Sequence, residues 1–424
     1  MDFQNNRGFA SELDQQDELR EFRTHFLFPQ HEGSEVVYFT GNSLGLQPKS
    51  AAQALGQELK DWHHFGVEGH FEAKHPWYSY HEMFAAPLAK LVGAKESEVV
   101  AMNGLTTNLH LLMVSFYRPE GKQVKILCEA KAFPSDLYAL KSQLRFHGID
   151  PEHGLIALKP REGEHILRTE DVLKAMEEHA DELALVMIGG VNFYTGQVMK
   201  MQELCNKAHS VGALCGFDLA HAAGNVPLQL HDWGVDFAAW CSYKYLNSGP
   251  GSVSGVFVHE SHHGKDLPRF EGWWGHDKKE RFKMEPDFVA MHSAEAWQLS
   301  NAPVFAMAVH KVSLDIFMEA GLDRLREKSV LLNQYLRFII EDISARFENV
   351  DFEIITPKAE DEHGSQLSIL VHGEGRPMFD FLTAKGVVAD WREPNVIRIA
   401  PVPLYNSFED CFSFGEILTE FLES

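Results

Sequence analysis

The stretch GALCGFDLAHAAGNVPLQLHDWGVDFAAWCSYK, residues 212–244, decides the fold class. It contains two apolar runs, GALCGFDLA (212–220) and DFAAWCSYK (236–244). Both runs are too apolar for strands with one face in water, so they predict fully buried strands of a mostly parallel sheet. Asp218 lies near the end of the first run and Lys244 ends the second. Because a buried ammonium is costly unless it is paired or chemically converted, Lys244 requires an explanation.

The segments around this stretch alternate between strand and helix patterns. Further buried strands are predicted at VKILCEA (124–130), ELALVMIGGVNF (182–193) and SGVFVHE (254–260). Amphipathic helical patterns lie between the strands, at TNLHLLMVSFYR, PSDLYALKSQLRFHG, EDVLKAMEEHADE and MQELCNKAHSVG. The alternation predicts an α/β fold in which helices cover both faces of the sheet and a ligand binds at the carboxyl ends of the strands.

The C-terminal part of the chain has a different pattern. A long helical pattern over residues 295–347 is followed by short strand patterns that alternate with two helical ones, which predicts a smaller α+β domain. The strand patterns are FEIITP, SQLSILVHG, VVADWR and VIRIAPVPL, and the helical ones are RPMFDFLTAKG and SFEDCFSFGEILTEFL. We divide the chain into an N-terminal segment (1–45), a large α/β domain (46–310) and the small domain (311–424).

Composition excludes several classes of function. With 424 residues, of which 45% are hydrophobic and 23% charged, the chain is typical of soluble globular proteins. Its formal net charge of -23 argues against nucleic acid as a partner, and no apolar run reaches the roughly eighteen residues of a membrane span. The five cysteines form no CxxC pair, which favours a reducing, cytoplasmic location. The 23 histidines include no HExxH motif, so we predict no metal site.

Asp218 and Lys244 suggest a cofactor site. If their strands are neighbours, both side chains face one crevice, where a lysine amine can form a Schiff base with pyridoxal phosphate and an aspartate can keep the ring nitrogen protonated. The same pattern is also compatible with a structural salt bridge, so the pair by itself leaves both interpretations open.

A cofactor phosphate would need donors near these strand ends. The start of the predicted helix at Thr106 and Thr107 offers free backbone N–H groups and a favourable dipole. Ser135, His221 and Tyr243 are further candidates.

Eight motifs, spread in the family's order from residue 38 to residue 408, resemble those of the kynureninases, which are fold-type-I pyridoxal phosphate enzymes. The motifs are YFTGNSLGLQPK, NGLTTNLHLLMVSFYRP, AFPSD, GVNFYTGQ, GFDLAHAAGNVPLQLHDWGVDFAAWCSYKYLNSGPG, GWWGH, SNAP and IRIAPVPLYNSF. The resemblance implies hydrolytic Cβ–Cγ cleavage of L-kynurenine or 3-hydroxy-L-kynurenine to an anthranilate and L-alanine, a reaction of tryptophan catabolism. It also implies a homodimer with shared active sites.

The resemblance assigns roles to particular residues. Lys244 resembles the Schiff-base lysine, Asp218 the partner of the ring nitrogen, and Tyr243 the proton carrier to Cβ. The implied cofactor-binding set is Leu105, Thr106, Phe133, Ser135, Asp136, Asp218, His221, Tyr243, Lys244, Trp273 and Asn301. Trp273 and Asn301 resemble residues that reach the site from the neighbouring subunit. Gly189 departs from the pattern, because family members often carry a serine there.

Substrate binding is implied at four positions. Arg398 resembles the arginine that binds the substrate's α-carboxylate, for which a guanidinium fork is well suited. Ser43, His70 and Asn301 match the polar set of family members that favour 3-hydroxykynurenine, so we expect that substrate to be preferred. The alternatives are another fold-type-I enzyme, such as an aminotransferase or a cysteine desulfurase, and a non-catalytic relative.

Overall fold

A seven-stranded sheet forms the centre of the computed structural model, which describes residues 1–347, 352–373 and 375–424. The strands are β1 (Val99–Met102), β2 (Lys125–Glu129), β3 (Leu155–Leu158), β4 (Leu183–Gly189), β5 (Leu214–Asp218), β6 (Phe237–Trp240) and β7 (Ser254–Val258). Their order is β1-β7-β6-β5-β4-β2-β3. Strands β3, β2, β4, β5 and β6 pair in parallel, whereas β7 runs antiparallel to both of its neighbours. The predicted α/β fold with a mostly parallel sheet is confirmed.

Both faces of this sheet are buried. In β6, Phe237 and Ala239 belong to one hydrophobic cluster, while Ala238 and Trp240 belong to another on the opposite face. Successive side chains of a strand point to opposite faces, so each face of β6 packs on its own layer. This explains why the strands read as continuous apolar runs rather than as alternating patterns.

The helices are α1 (Arg7–Gln16), α2 (Ala51–Phe65), α3 (Gly69–Glu72), α4 (Ala85–Val92), α5 (Leu105–Phe116), α6 (Pro134–Phe146), α7 (Pro151–Gly154), α8 (Thr169–Glu178), α9 (Met201–Ser210), α10 (Val304–Ala320), α11 (Leu322–Arg346), α12 (Gly375–Ala384) and α13 (Phe408–Glu423). Helices α5, α6, α8, α9 and α10 to α13 lie where helical patterns predict them, whereas α1 to α4 and α7 were not predicted. Short 3-10 segments lie at Arg20–His25, Gly66–Glu68, Trp77–Phe84, Glu96–Glu98, Glu260–His262, Trp273–Gly275, Arg281–Lys283, Ala294–Trp297 and Glu360–Glu362. No helix within the described residues is both long and apolar enough to cross a membrane.

A second sheet lies in the C-terminal part. Its strands are β8 (Phe352–Ile354), β9 (Leu367–Val371), β10 (Asp390–Arg392) and β11 (Val396–Ile399), ordered β8-β9-β11-β10 and antiparallel throughout. Two-residue strands lie at Phe26–Leu27, Gln30–His31, Ser34–Glu35, Val37–Tyr38, Gln47–Pro48 and Val387–Val388. The long helical pattern before this sheet is two helices, since Gly321 between α10 and α11 has a φ of 81°. The three-part division of the chain stays a prediction.

The connection from β5 to β6 differs from expectation. The roughly fifteen residues between the two apolar runs are long enough to predict a helix there, as in other α/β connections, but residues 219–235 contain turns and no helix. The strands are nevertheless direct neighbours, with Asp218 opposite Ala239 of β6 and Gly189 of β4. The strand ends therefore meet as the sequence predicts.

Asp236, the residue before β6, forms hydrogen bonds with β5 and with two histidines. Its carboxylate accepts hydrogen bonds from the Cys215 backbone N–H (2.7 Å), from His209 Nε2 (2.8 Å) and from His262 Nε2 (2.7 Å). Burial raises the pKa of Asp236, but these hydrogen bonds outweigh burial and bring it to about 2. The hydrogen bond to Asp236 is the main reason that the pKa of His209 rises to about 10.

We expect Asp236→Asn to destabilise the fold by about 1 kcal/mol near pH 6, because it removes the buried negative charge that meets His209, whose half-exposed side chain is partly screened by water. The Asp236 pKa is depressed, so the contribution of Asp236 to the free energy of unfolding is present above about pH 4 and lost as the pH falls towards 2. The His209 pKa is raised, so the contribution of His209 to the free energy of unfolding is present below about pH 6.5 and lost as the pH rises towards 10. The difference between wild type and variant in the midpoint of thermal unfolding should therefore be largest between about pH 4 and 6.5. A difference that is constant across pH would contradict this assignment.

Candidate active site

A cavity of about 350 Å³ lies at the carboxyl ends of the central strands. This is the location at which α/β sheets bind ligands. Its lining comprises Gly104, Leu105, Thr106, Thr107, Glu129, Phe133, Ser135, Asp136, Gly189, Val191, Phe193, Asp218, Ala220, His221, Tyr243, Lys244, Gly251, Ser252 and Ser254. The fold thus brings most of the predicted cofactor residues into one pocket, although they are far apart in sequence.

Lys244 lies four residues beyond the end of β6, with its ammonium inside the cavity. Its Nζ is 3.0 Å from His221 Nε2 and 5.8 Å from the centre of the Phe133 ring. Burial, followed by the charge of Lys244, lowers the pKa of His221 well below its usual value. His221 is therefore a neutral acceptor for Lys244, and its Nδ1 is buried with no hydrogen-bond partner among the described residues.

The carboxyl groups of Asp218 and Asp136 line the same cavity as Lys244. Asp218 is 8% exposed, and its Oδ1 accepts a hydrogen bond from the Ala220 N–H (2.7 Å). Burial first, and then the neighbouring Asp218, raise the pKa of Asp136 well above its usual value. The closeness of a second carboxyl group thus disfavours the ionised form of Asp136.

The lining of the cavity also offers hydrogen-bond donors. Helix α5 begins there at Leu105, and the N–H groups of a first helical turn have no partners within the helix. The hydroxyls of Thr106 and Ser135 lie 2.8 Å apart in this lining, and the buried Ser252 hydroxyl has no partner among the described residues. Such a set of donors with a helix dipole favours an anion.

These features fit pyridoxal phosphate. The cavity has a carboxylate for a cationic ring nitrogen, an amine for an aldehyde and an anion-binding end for a phosphate. Phe133, 42% exposed, lies within the lining and offers an aromatic face. The unpartnered Nδ1 of His221 is a buried donor that a bound group would satisfy.

Arg398 does not line the cavity but lies directly behind its wall. The guanidinium donates to the Phe193 carbonyl (2.5 Å) and forms an ion pair with Asp390. Its side chain is only 1% exposed. The predicted carboxylate-binding arginine is therefore close to the site but already engaged.

The other predicted substrate residues lie elsewhere. His70, Trp273 and Asn301 line a separate cavity of about 500 Å³, and none of them touches the Lys244 cavity of the same chain. Ser43 lines neither cavity, yet its segment is adjacent to the site, because the Gly45 N–H donates to the Tyr243 carbonyl (2.8 Å). The single chain thus separates these residues from Lys244.

Comparison with known proteins identifies the family. The chain is 58% identical to the kynureninase of Flavobacterium psychrophilum over 99% of its own length and 98% of that protein. It is 52% identical to the kynureninase of Myxococcus xanthus over 98% and 97% of the respective chains. The chain belongs to the kynureninase family. Residues 325–418 also match the family model described as the kynureninase C-terminal domain.

Solved structures of other enzymes have a similar fold. The apo structure of a cysteine desulfurase from Thermococcus onnurineus has a TM-score of 0.75 at 18% identity, covering 92% of this chain and 95% of that one. The cysteine desulfurase CsdA of Escherichia coli also gives 0.75, at 15% identity over 96% and 98% of the two chains. At this identity the likeness concerns the fold alone.

Sequence reasoning missed Glu129 at the end of β2. Its carboxylate accepts hydrogen bonds from Asn192 Nδ2 (2.9 Å) and from the Gly189 N–H (3.4 Å) inside the cavity. A Cβ on Gly189 would lie 3.3 Å from Glu129 Oε2, so this carboxylate occupies space beside the position where kynureninases often have a serine. A charged residue at the end of a buried strand, as at Asp218, was the signal that could have identified Glu129.

One group of potential metal ligands occurs among the described residues. Atoms of Glu98, His231 and His259 lie within 4.8 Å of one another. However, the two rings are stacked at 7° with centroids 5.0 Å apart, so their in-plane lone pairs do not converge on one point. Glu98 already accepts from His231 (2.9 Å) and from the Glu260 N–H (2.8 Å). The cluster is explained by these hydrogen bonds.

Proposed function

We propose that the protein is a pyridoxal-phosphate-dependent kynureninase that hydrolyses the Cβ–Cγ bond of L-kynurenine and 3-hydroxy-L-kynurenine, with preference for the latter. The products are anthranilate or 3-hydroxyanthranilate and L-alanine. The observation that carries the proposal is Lys244, held 3.0 Å from His221 among the strand ends of a chain of this family. The five buried, unpaired cysteines support a reducing, cytoplasmic location and offer no exposed thiol for desulfurase chemistry.

Lys244 is the residue that holds the cofactor and moves the α-proton. When bound, pyridoxal phosphate supplies an electron sink conjugated to the substrate's α-carbon. Lys244 Nζ removes the proton from that carbon, and the neutral His221 accepts a hydrogen bond from the amine and orients it. The low pKa of His221 keeps a second positive charge away from Lys244.

Asp218 and the anion-binding end hold the two ends of the cofactor. The Asp218 carboxyl group would pair with the ring nitrogen, and the raised pKa of Asp136 beside it, caused by burial and by Asp218, disfavours a second negative charge there. Thr106, Ser135 and the start of α5 would bind the phosphate. The electrostatic polarity of the cavity therefore sets the orientation of the ring.

Tyr243 is suited to deliver a proton to Cβ. Its side chain lines the cavity beside Lys244, and burial raises the pKa of its hydroxyl above the usual value. A phenol with a raised pKa stays protonated at neutral pH and can donate to a carbanionic carbon.

Arg398 binds the α-carboxylate and thereby fixes the amino acid end of the substrate.

A parallel assay with both substrates tests the function. The purified protein, loaded with pyridoxal phosphate, should produce the fluorescent anthranilates and equimolar L-alanine. We expect a higher kcat/KM with 3-hydroxykynurenine, because polar groups that meet a hydroxyl in an assembled site are left unpaired by kynurenine. A loaded protein that gives neither product would refute the proposal.

The triple variant Ser43→Gly, His70→Trp, Asn301→Thr should reverse this preference. His70 Nδ1 is engaged with the Val67 carbonyl (2.9 Å), which leaves Nε2 for a ligand hydroxyl. We expect the kcat/KM for 3-hydroxykynurenine divided by that for kynurenine to fall by about tenfold or more. His153→Trp, at a side chain that is 85% exposed, is the matched control and should leave the ratio unchanged. An unchanged ratio in the triple variant would remove these residues from substrate choice.

We further propose that two chains form a homodimer in which each completes the other's site. The surface around the second cavity is strongly apolar, with Phe71 58%, Trp273 45% and Phe282 55% exposed. Exposed aromatic clusters of this kind mark interaction surfaces. A second copy seated there would bring His70, Trp273 and Asn301 to the Lys244 cavity that they do not reach within their own chain.

Mixing two inactive variants tests the shared site. Lys244→Ala removes the amine, and Trp273→Ala with Asn301→Ala removes the contribution of the neighbouring chain. After unfolding and refolding an equimolar mixture, half of the dimers should be mixed and contain one intact site. Activity should therefore recover to about a quarter of wild type. No recovery, with dimers present, would place each site within one chain.

A further inference from the structure

Arg398 already holds a carboxylate at the place where the proposed function needs it free. Strands β10 and β11 are antiparallel, and their register sets Asp390 directly opposite Arg398. The Asp390 carboxylate accepts a hydrogen bond from Arg398 Nη2. A buried guanidinium without a partner is costly, so Asp390 stabilises the ligand-free protein.

Asp390 is shared between two arginines. Arg392 Nη2 donates to the same Asp390 oxygen at 3.0 Å. The Arg392 side chain is 35% exposed, and its Nε is buried with no hydrogen-bond partner among the described residues. One carboxylate therefore serves two guanidinium groups, which leaves one positive charge of the cluster unmatched. The cluster is complete only when a second carboxylate binds.

The unmatched charge lies next to the cavity. Arg398 donates to the Phe193 carbonyl (2.5 Å), and the Phe193 ring packs edge-on against Phe133 with centroids 5.4 Å apart. Both phenylalanines line the cavity that contains Lys244. Phe193 thus lies between the cluster and the space in which an amino acid substrate would be held.

We propose that Asp390 is a positioning residue that occupies Arg398 in the free protein, moves onto Arg392 when the substrate's α-carboxylate binds, and so sets the affinity for carboxylate ligands. The proposal rests on the proposed function of Arg398. In the free state two guanidiniums share one carboxylate, and in the bound state each has its own. Selectivity follows, because a ligand with a neutral group at this position cannot displace a charged one.

Isothermal titration of the loaded protein with L-alanine and L-alaninamide tests this exchange. The two ligands differ in the charge of the group that would meet Arg398. In Asp390→Asn the competing charge is gone, so we expect the Kd of L-alanine to fall about tenfold, with that of L-alaninamide changed less than twofold. In Arg392→Gln the displaced Asp390 loses its second partner, so the Kd of L-alanine should rise about tenfold.

Two further variants make the result specific. Asp380→Asn removes an exposed carboxylate that pairs with Arg376 at the surface and lines no cavity described above, and should change neither Kd. With Arg398→Gln in the background, Asp390→Asn should have no further effect on L-alanine. Equal changes for both ligands, or weaker L-alanine binding in Asp390→Asn, would overturn the proposal. Because binding is measured without turnover, failure of kynurenine cleavage would be recognised separately.

Discussion

Lys244→Ala is expected to lower kcat for kynurenine cleavage by about 1000-fold or more, because it removes the group that moves the α-proton. Among the described residues, Lys244 is the only one that brings an amine to the lining of the cavity. His221 cannot replace it, because burial and its neighbours keep the pKa of the imidazole well below neutral. The anthranilate and alanine products should both disappear, and the covalent attachment of the cofactor, read from its visible absorbance, should be lost.

The control is Lys311→Ala. Lys311 pairs with Asp315 (2.6 Å) on the exposed side of α10 and should be dispensable for activity. If Lys244→Ala retained more than about a tenth of wild-type kcat, the role of Lys244 as the proton carrier would be wrong.

Asp218→Asn is expected to lower kcat by about 100-fold, because a neutral amide cannot keep the ring nitrogen protonated. The variant should fold, since the amide oxygen can still accept from the Ala220 N–H as Asp218 Oδ1 does at 2.7 Å. Asp136 would no longer face a carboxylate, and its pKa should fall towards the usual range, because the neighbouring charge contributes to its present rise.

Steady-state kinetics with both substrates, together with cofactor stoichiometry, check this prediction. Asp315→Asn, which removes a surface carboxylate that pairs with Lys311, is the matched control. A kcat near that of wild type in a fully loaded Asp218→Asn protein would show that the ring nitrogen needs no anionic partner. Loss of kcat without loss of cofactor is the expected pattern.

Most of the central sheet was predictable because its strands are buried on both faces. The runs that contain β2, β4, β5, β6 and β7 were located from apolarity alone. Strands β1 and β3 were missed. They form the two edges of the sheet. Strand β3 is only partly buried and β1 has only four residues, so neither stands out as a long apolar run.

The candidate site was predicted in part. Asp218 and Lys244 carried a physical signal, since charged residues at the ends of apolar strands need partners. Phe133 and Asp136 came from resemblance to the family, and the structure places both in the same cavity. Glu129 was not identified, although it lines the same cavity and is as buried as Asp136.

The sequence by itself determined the α/β class, the buried strands, the family and the two residues from which the chemistry starts. These properties follow from local patterns, because apolar periodicity and the order of motifs are carried along the chain. Only the tertiary structure decided the electrostatics of the site: the lowered pKa of His221, the raised pKa of Asp136, and the sharing of Asp390 between two arginines. Burial and distances between residues far apart in sequence set these states, and no local pattern contains them.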